Sequence, residues 1–205
     1  NVRAEVAVNA ESRHIGTTRS AGVLVAFSTP EGGVISGLSS ALSLEGWTWE
    51  EMSMKGAAAL NVKWPDPNAQ PRRGFGGGGP GGRGAGGPPP KSYAEQVQQI
   101  KDWFGEARAY RDAVKSGQDV RTDSRYAAMI PALNGTIPVV VAAEGAAQIN
   151  DAITWAKAEG VKLVIRGGRD ALFVADRLKA ENVPVILTSP GRRQEGRRPD
   201  AGLRR

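Results

Sequence analysis

No cysteine occurs among the 205 residues, and a single histidine, His14, is present. The first absence excludes disulfides, thiolate metal sites and a cysteine nucleophile, while leaving the redox compartment open. The second excludes a Ser-His-Asp relay, and it makes His14 a surface residue before a metal ligand, because both chemistries need partners. No apolar run approaches the ~20 residues that cross a bilayer. The chain opens on Asn1 without a basic-plus-apolar signal segment, so a soluble protein is expected, cytoplasmic or exported. Aromatic residues are sparse, at 6%.

What is plentiful is glycine, arginine and short apolar runs. The formal charge of +6 is unevenly placed. Six arginines stand against Glu195 and Asp200 in 191–205, and Arg72, Arg73 and Arg83 flank or lie in a Gly/Pro stretch. The remainder holds 18 basic and 19 acidic residues, so the body of the chain is close to neutral. Residues 74–90 contain ten Gly and four Pro. A disordered insert over 68–91 and an unstructured basic tail over 191–205 are therefore expected, with residues 1–190 forming one domain. With Phe75 as the one aromatic, the insert has too few stacking groups for single-stranded RNA.

Between 137 and 189 the pattern repeats. IPVVVAA (137–143), VKLVIRGG (161–168) and VPVILTS (183–189) are continuous apolar runs, and AAQINDAITWAKAEG and RDALFVADRLKAEN between them have helical periodicity. Such runs imply parallel strands covered by helices, with Leu172, Ala175 and Leu178 on the buried stripe of the second helix. Upstream, GVLVAFS (22–28) reads as a buried strand followed by a Gly-rich turn, 29–37. Thr48-x-x-Glu51 has capping-box form and predicts a helix that carries Met52 and Ala57–Leu60 inward, ended by Pro65 and Pro67. Ser92-x-x-Glu95 predicts a second, long helix with Val97, Ile100, Phe104, Ala107 and Val114 on one stripe, closed near Gly117. A short helix follows over 124–133.

Four segments, GVLVAFS with GGVISG, GWTWEEMSMKGAAALNV, IPVVVAAEGAAQINDAI and VKLVIRGGRDALFVADRLKAENVPVIL, resemble the amidohydrolase superfamily, in its imidazolonepropionase-like branch. The resemblance implies an α/β fold, a partial (β/α)8 TIM-type barrel of parallel strands with outer helices. A whole barrel takes about 250 residues, so the chain is expected to be an internal portion lacking the first and last strands. It further implies hydrolysis of non-peptide C–N bonds of cyclic-amide type, with zinc or another divalent ion activating water. Aligned residue by residue, the family's ligand positions fall on Ser43, Ala142 and Gly167, none of which is a useful metal ligand. No cofactor is therefore expected from this portion.

The strand ends leave Glu144, Arg166, Arg169 and Asp170 as candidate substrate-binding residues. Arg166 or Arg169 could grip a carboxylate or phosphate bidentately; otherwise these residues merely begin helices on a solvated face. Three functions follow: an amidohydrolase-like hydrolase; a metal-free degenerate relative binding a small molecule; and an open-sheet nucleotide-binding domain with an RNA-contacting basic loop. The last lacks a dinucleotide fingerprint. The expected partner is a small molecule and neither nucleic acid nor membrane, with a homo-oligomer left open.

Overall fold

The computed structural model describes residues 4–67 and 91–188. The expected insert, all but Lys91, and the expected basic tail lie outside these residues. Six strands form one sheet in sequential order: β1 (Val25–Ser28), β2 (Ile35–Ser43), β3 (Ser53–Lys63), β4 (Val139–Ala143), β5 (Leu163–Gly167) and β6 (Val185–Leu187). β3 to β6 pair in parallel, as the apolar runs predict. β2 is antiparallel to both β1 and β3, so the sheet is mixed, which corrects the all-parallel expectation. β1, β3, β4, β5 and β6 consequently share one direction, and the curled sheet forms half of a barrel. Among the described strands the order is sequential, with no point where the winding reverses, unlike an open nucleotide-binding sheet.

The helices are α1 (Arg13–Ser20), α2 (Trp49–Met52), α3 (Tyr93–Lys115), α4 (Ser124–Leu133), α5 (Ala146–Glu159) and α6 (Ala175–Ala180). None is long and apolar enough to cross a membrane. α3 starts on the expected capping box. Ser92 accepts the Glu95 N–H, and the Glu95 carboxylate accepts the Ser92 N–H at 2.7 Å. Ile100, Phe104 and Ala107 are fully buried, but Val114 is 48% exposed, past the end of the predicted stripe. In the predicted β5–β6 helix, residues Ala171–Val174 form a 3-10 turn and only 175–180 are α-helical. Leu172 is exposed there, against the predicted stripe, while Leu178 is buried.

Thr48 caps as predicted, its side chain accepting the Glu51 N–H, but the box is not closed: the Glu51 carboxylate accepts the Trp47 N–H at 2.8 Å, and the cap starts a single turn. The stretch from 53 through Leu60, read as helix from sequence, and the 62–63 positions read as its end belong to the eleven-residue β3, Ser53–Lys63. Pairing on both sides and burial of Ala59, Leu60, Asn61 and Val62 override the helical preference of an alanine-rich stretch. The 22–28 segment is strand only over 25–28. It is an edge strand with Val25 and Phe27 about half exposed, not a buried one.

One face of the sheet carries the core. Leu38, Leu60, Val62, Trp64, Val139, Val141, Ala143, Leu163 and Ile165 pack against buried residues of α3, α4, α5 and α6. Trp155 of α5 lies edge-on to Phe104 of α3 at 4.9 Å and tilted against Trp64 at 5.5 Å, so one indole joins two helices to the end of β3. The alternate residues of the same strands point away from this core and shape the candidate site.

Candidate functional site

In a barrel, the residues after the parallel strands build the site, because every C-terminal strand end converges on one rim. Here that rim holds a cleft of about 710 Å³. Its floor comes from alternate residues of three strands: Asn61 and Lys63 of β3, Val140 and Ala142 of β4, and Arg166 of β5. The registers Lys63↔Ala142 and Ala142↔Arg166 place these three side by side in one layer. Asn61 pairs with Val140 one layer deeper. Glu31, Gly32 and Gly33, in the turn between β1 and β2, form one wall. Positive φ angles of 113° and 68° at Gly32 and Gly33 let that turn fold tightly over the rim.

Gln148, buried in the first turn of α5, clips this rim together. Its Oε1 accepts the N–H groups of Glu144 and Gly145 at 3.0 and 2.9 Å, and its Nε2 donates to the Pro65 carbonyl at 3.0 Å. The Trp64 N–H donates to the Ala142 carbonyl at 3.1 Å, extending the β3–β4 ladder past the last strand residue. The loop after β3 and the loop after β4 are thus one hydrogen-bonded unit.

Of the four residues predicted to bind substrate, Glu144 and Arg166 line the cleft. The Arg166 guanidinium is 3.8 Å from the carboxylate of Glu31, itself 81% exposed. Arg169 and Asp170 sit beyond it. Their side chains face each other at 3.6 Å, and their main chain serves the rim instead. The Arg169 N–H donates to the Glu144 carboxylate at 3.2 Å and the Asp170 N–H to the Glu144 carbonyl at 2.9 Å. Sequence reasoning missed Asn61 and Lys63 because it read their stretch as helix. The signal was there, in the alternation of polar Asn61 and Lys63 with apolar Leu60, Val62 and Trp64.

Asn61 is unusual. It is 4% exposed, and its Nδ2 donates to the Gly37 carbonyl at 3.1 Å and to Ser39 Oγ at 2.5 Å. These two bonds fix the amide plane. They leave Oδ1 buried with no hydrogen-bond partner among the described residues. An unpaired buried carbonyl costs about 1–3 kcal/mol.

The fold is similar to the crystal structure of an amidohydrolase from Thermotoga maritima, with a TM-score of 0.74 and 22% sequence identity over 92% of this chain. The fold is amidohydrolase-like. The match covers 48% of the Thermotoga protein, so the chain spans about half its length. No protein-family model matches the sequence, and no curated protein matches it.

Amidohydrolases as a class imply a divalent metal, and the residues described do not fit one. Ala142 faces the cleft with a methyl group, between Lys63 and Arg166, whose like charges repel a cation. Gly167 does not line the cleft, and its φ of 106° disfavours any side chain. Ser43 lies at the other end of the sheet, paired with Val25. Ser43 follows Leu42, which pairs with Ser53, while Lys63 pairs with Ala142. The ten-residue rise along β3 separates these levels by roughly 30 Å. Ser43 is therefore not part of a site with Ala142.

Proposed function

We propose that this chain is half of an amidohydrolase-like TIM-type barrel, from a hydrolase of non-peptide C–N bonds of the cyclic-amide type, as in the imidazolonepropionase-like branch. The observation that carries the reading is the common direction of β1, β3, β4, β5 and β6. It brings the ends of these strands to one rim, where a cleft lies, on a fold similar to that of a Thermotoga amidohydrolase. In this reading Gln148 and the Glu144 main chain hold the rim in place, and the side chains of β3 and β5 contact substrate.

A second reading, metal-free binding of a small molecule by a degenerate relative, is favoured by the placement of Ala142 between Lys63 and Arg166. Such a layer offers cationic donors where a metal would need lone pairs. One experiment separates the two. The purified chain is incubated with hydantoin and dihydrouracil at neutral pH, with and without added zinc or manganese, and ring opening is followed by mass spectrometry. Metal-dependent turnover abolished by chelation supports the hydrolase. Binding of the ring-opened acids without turnover supports the degenerate relative. Neither binding nor turnover overturns both.

A further inference from the structure

We infer that a second cavity, on the helix-covered face of the sheet, binds a planar aromatic acid. The ring lies against Trp103 and Met129, and the carboxylate is held by the Arg125 guanidinium and the Gln99 amide. This site is separate from the rim cleft and does not depend on hydrolysis.

The cavity measures about 480 Å³ and opens between the start of β2 and the facing sides of α3 and α4. Pockets for small molecules usually hold about 300–1,000 Å³. Gln99 and Trp103 are one helical turn apart on α3, as are Arg125 and Met129 on α4, so each helix turns one stripe toward the space. Ile35 and Leu60 line it from the sheet. Leu60 points here while Asn61, next along β3, points to the rim cleft, because successive strand residues face opposite sides. The two cavities therefore lie on opposite faces of the sheet and share Gly33, Val34 and Ser36 at the start of β2.

Two donors face this largely apolar space. Lys91 Nζ donates to Gln99 Oε1 at 3.0 Å, which turns that oxygen to the lysine and leaves the Gln99 NH₂ group without a partner among the described residues. The Arg125 guanidinium lies 5.4 Å from the Trp103 ring centre and 5.5 Å from that of Tyr126, and it gives Nε and Nη2 to Asp123. Its Nη1 makes no hydrogen bond among the described residues. Two rings and an ion pair thus fix the guanidinium in advance, so little of its freedom is lost on binding. Arg125 is the one charged side chain among the described residues lining the cavity. The neighbouring acids are engaged outside it, Asp123 with Arg125 and Glu106 with the Tyr126 hydroxyl. A carboxylate suits the two donors, and a flat ring suits the Trp103 face and the Met129 sulfur. Entry is open, since the Arg125 side chain is 59% exposed and Gln99 and Trp103 are half-buried.

The test is calorimetric titration of the full chain with three probes: 2-naphthoate, 2-naphthamide, which lacks the charge, and decahydro-2-naphthoate, which lacks the flat ring. 2-Naphthoate is expected to bind severalfold more tightly than either analogue. Arg125→Met should weaken it about tenfold, and Gln99→Met and Trp103→Leu severalfold each, with thermal melting as the control for folding. Arg125 and Gln99 lie outside the core, so their variants carry the test should Trp103→Leu fold poorly. Equal affinity for the amide or the saturated acid overturns the ligand class. Unchanged affinity in both Arg125→Met and Gln99→Met overturns the site. Affinity lost in Arg166→Met but kept in Arg125→Met puts the acid in the rim cleft and overturns the site as well. A chain that passes these tests yet opens no ring loses the hydrolase reading and keeps this one.

Discussion

The Glu144 carboxylate fills the space beside Gly167 that any side chain there would need. A Cβ at position 167 would lie 2.5 Å from Glu144 Oε1 and 3.1 Å from the Ala143 carbonyl. The second contact is with backbone, which cannot swing away. The φ of 106° adds strain for any L side chain. Gly167→Ala is expected to destabilise the protein by about 1–3 kcal/mol, measured by chemical denaturation. Glu144→Ala should relieve only the carboxylate part of the clash in the double variant. Full recovery in that double variant would show that the backbone is not the constraint.

The aromatic junction Phe104–Trp155–Trp64 makes a second expectation quantitative. Phe104 is fully buried and meets the Trp155 edge at 88°. Phe104→Ala should cost about 3–5 kcal/mol, through the cavity and the loss of the α3–α5 contact. The shift in denaturation midpoint is the measurement, and a loss under about 1 kcal/mol would show that this junction does not hold α3 to α5.

The βα repeat from 137 onward was legible because parallel strands covered by helices take unbroken apolar runs; Val139–Val141 is buried on both faces, while in Leu163–Ile165 the middle residue is partly exposed. The β2–β3 pairing was not. Its evidence lies in cross-strand partners such as Leu38↔Leu60, while the local signals at Thr48 and Ala57–Leu60 favour helix. Glu144 and Arg166 were found at the rim because a residue at a strand end needs only the strand boundary to be placed. Asn61 and Lys63 were lost with the strand that bears them. Ser43 was placed by flanking residues, and the reversed direction of β2 carries it to the opposite end.

Two tyrosines tie stability to alkaline pH. Burial, then the hydrogen bond to Asp151, raises the Tyr93 hydroxyl above its ordinary pKa, with the Trp64 Nε1 donating to it at 3.2 Å and lowering it less. The hydrogen bond to Glu106, then burial, raises Tyr126. A folded pKa above the unfolded value means that the stabilisation is present below the unfolded pKa near 10 and is lost as pH rises through the folded pKa. Melting temperature should therefore fall more steeply above pH 10 in the wild type than in a Tyr93→Phe, Tyr126→Phe double variant. Parallel curves would remove this linkage.

Ala142 permits a last test of the vacant ligand position. Ala142→His puts an imidazole into the cleft, but one imidazole cannot fix the geometry of a zinc ion, which takes three or four protein ligands. Lys63 and Arg166 sit on either side of it and oppose a divalent charge. Equilibrium dialysis of Ala142→His is expected to show no stoichiometric zinc at neutral pH. Adding Lys63→Glu and Arg166→Glu reverses the sign of the layer and supplies two oxygen ligands beside the imidazole, so zinc binding should rise by at least tenfold over the single variant. Stoichiometric zinc in Ala142→His alone would mean that further donors already face the cleft, and the metal-dependent hydrolase would then be the better description of this half-barrel.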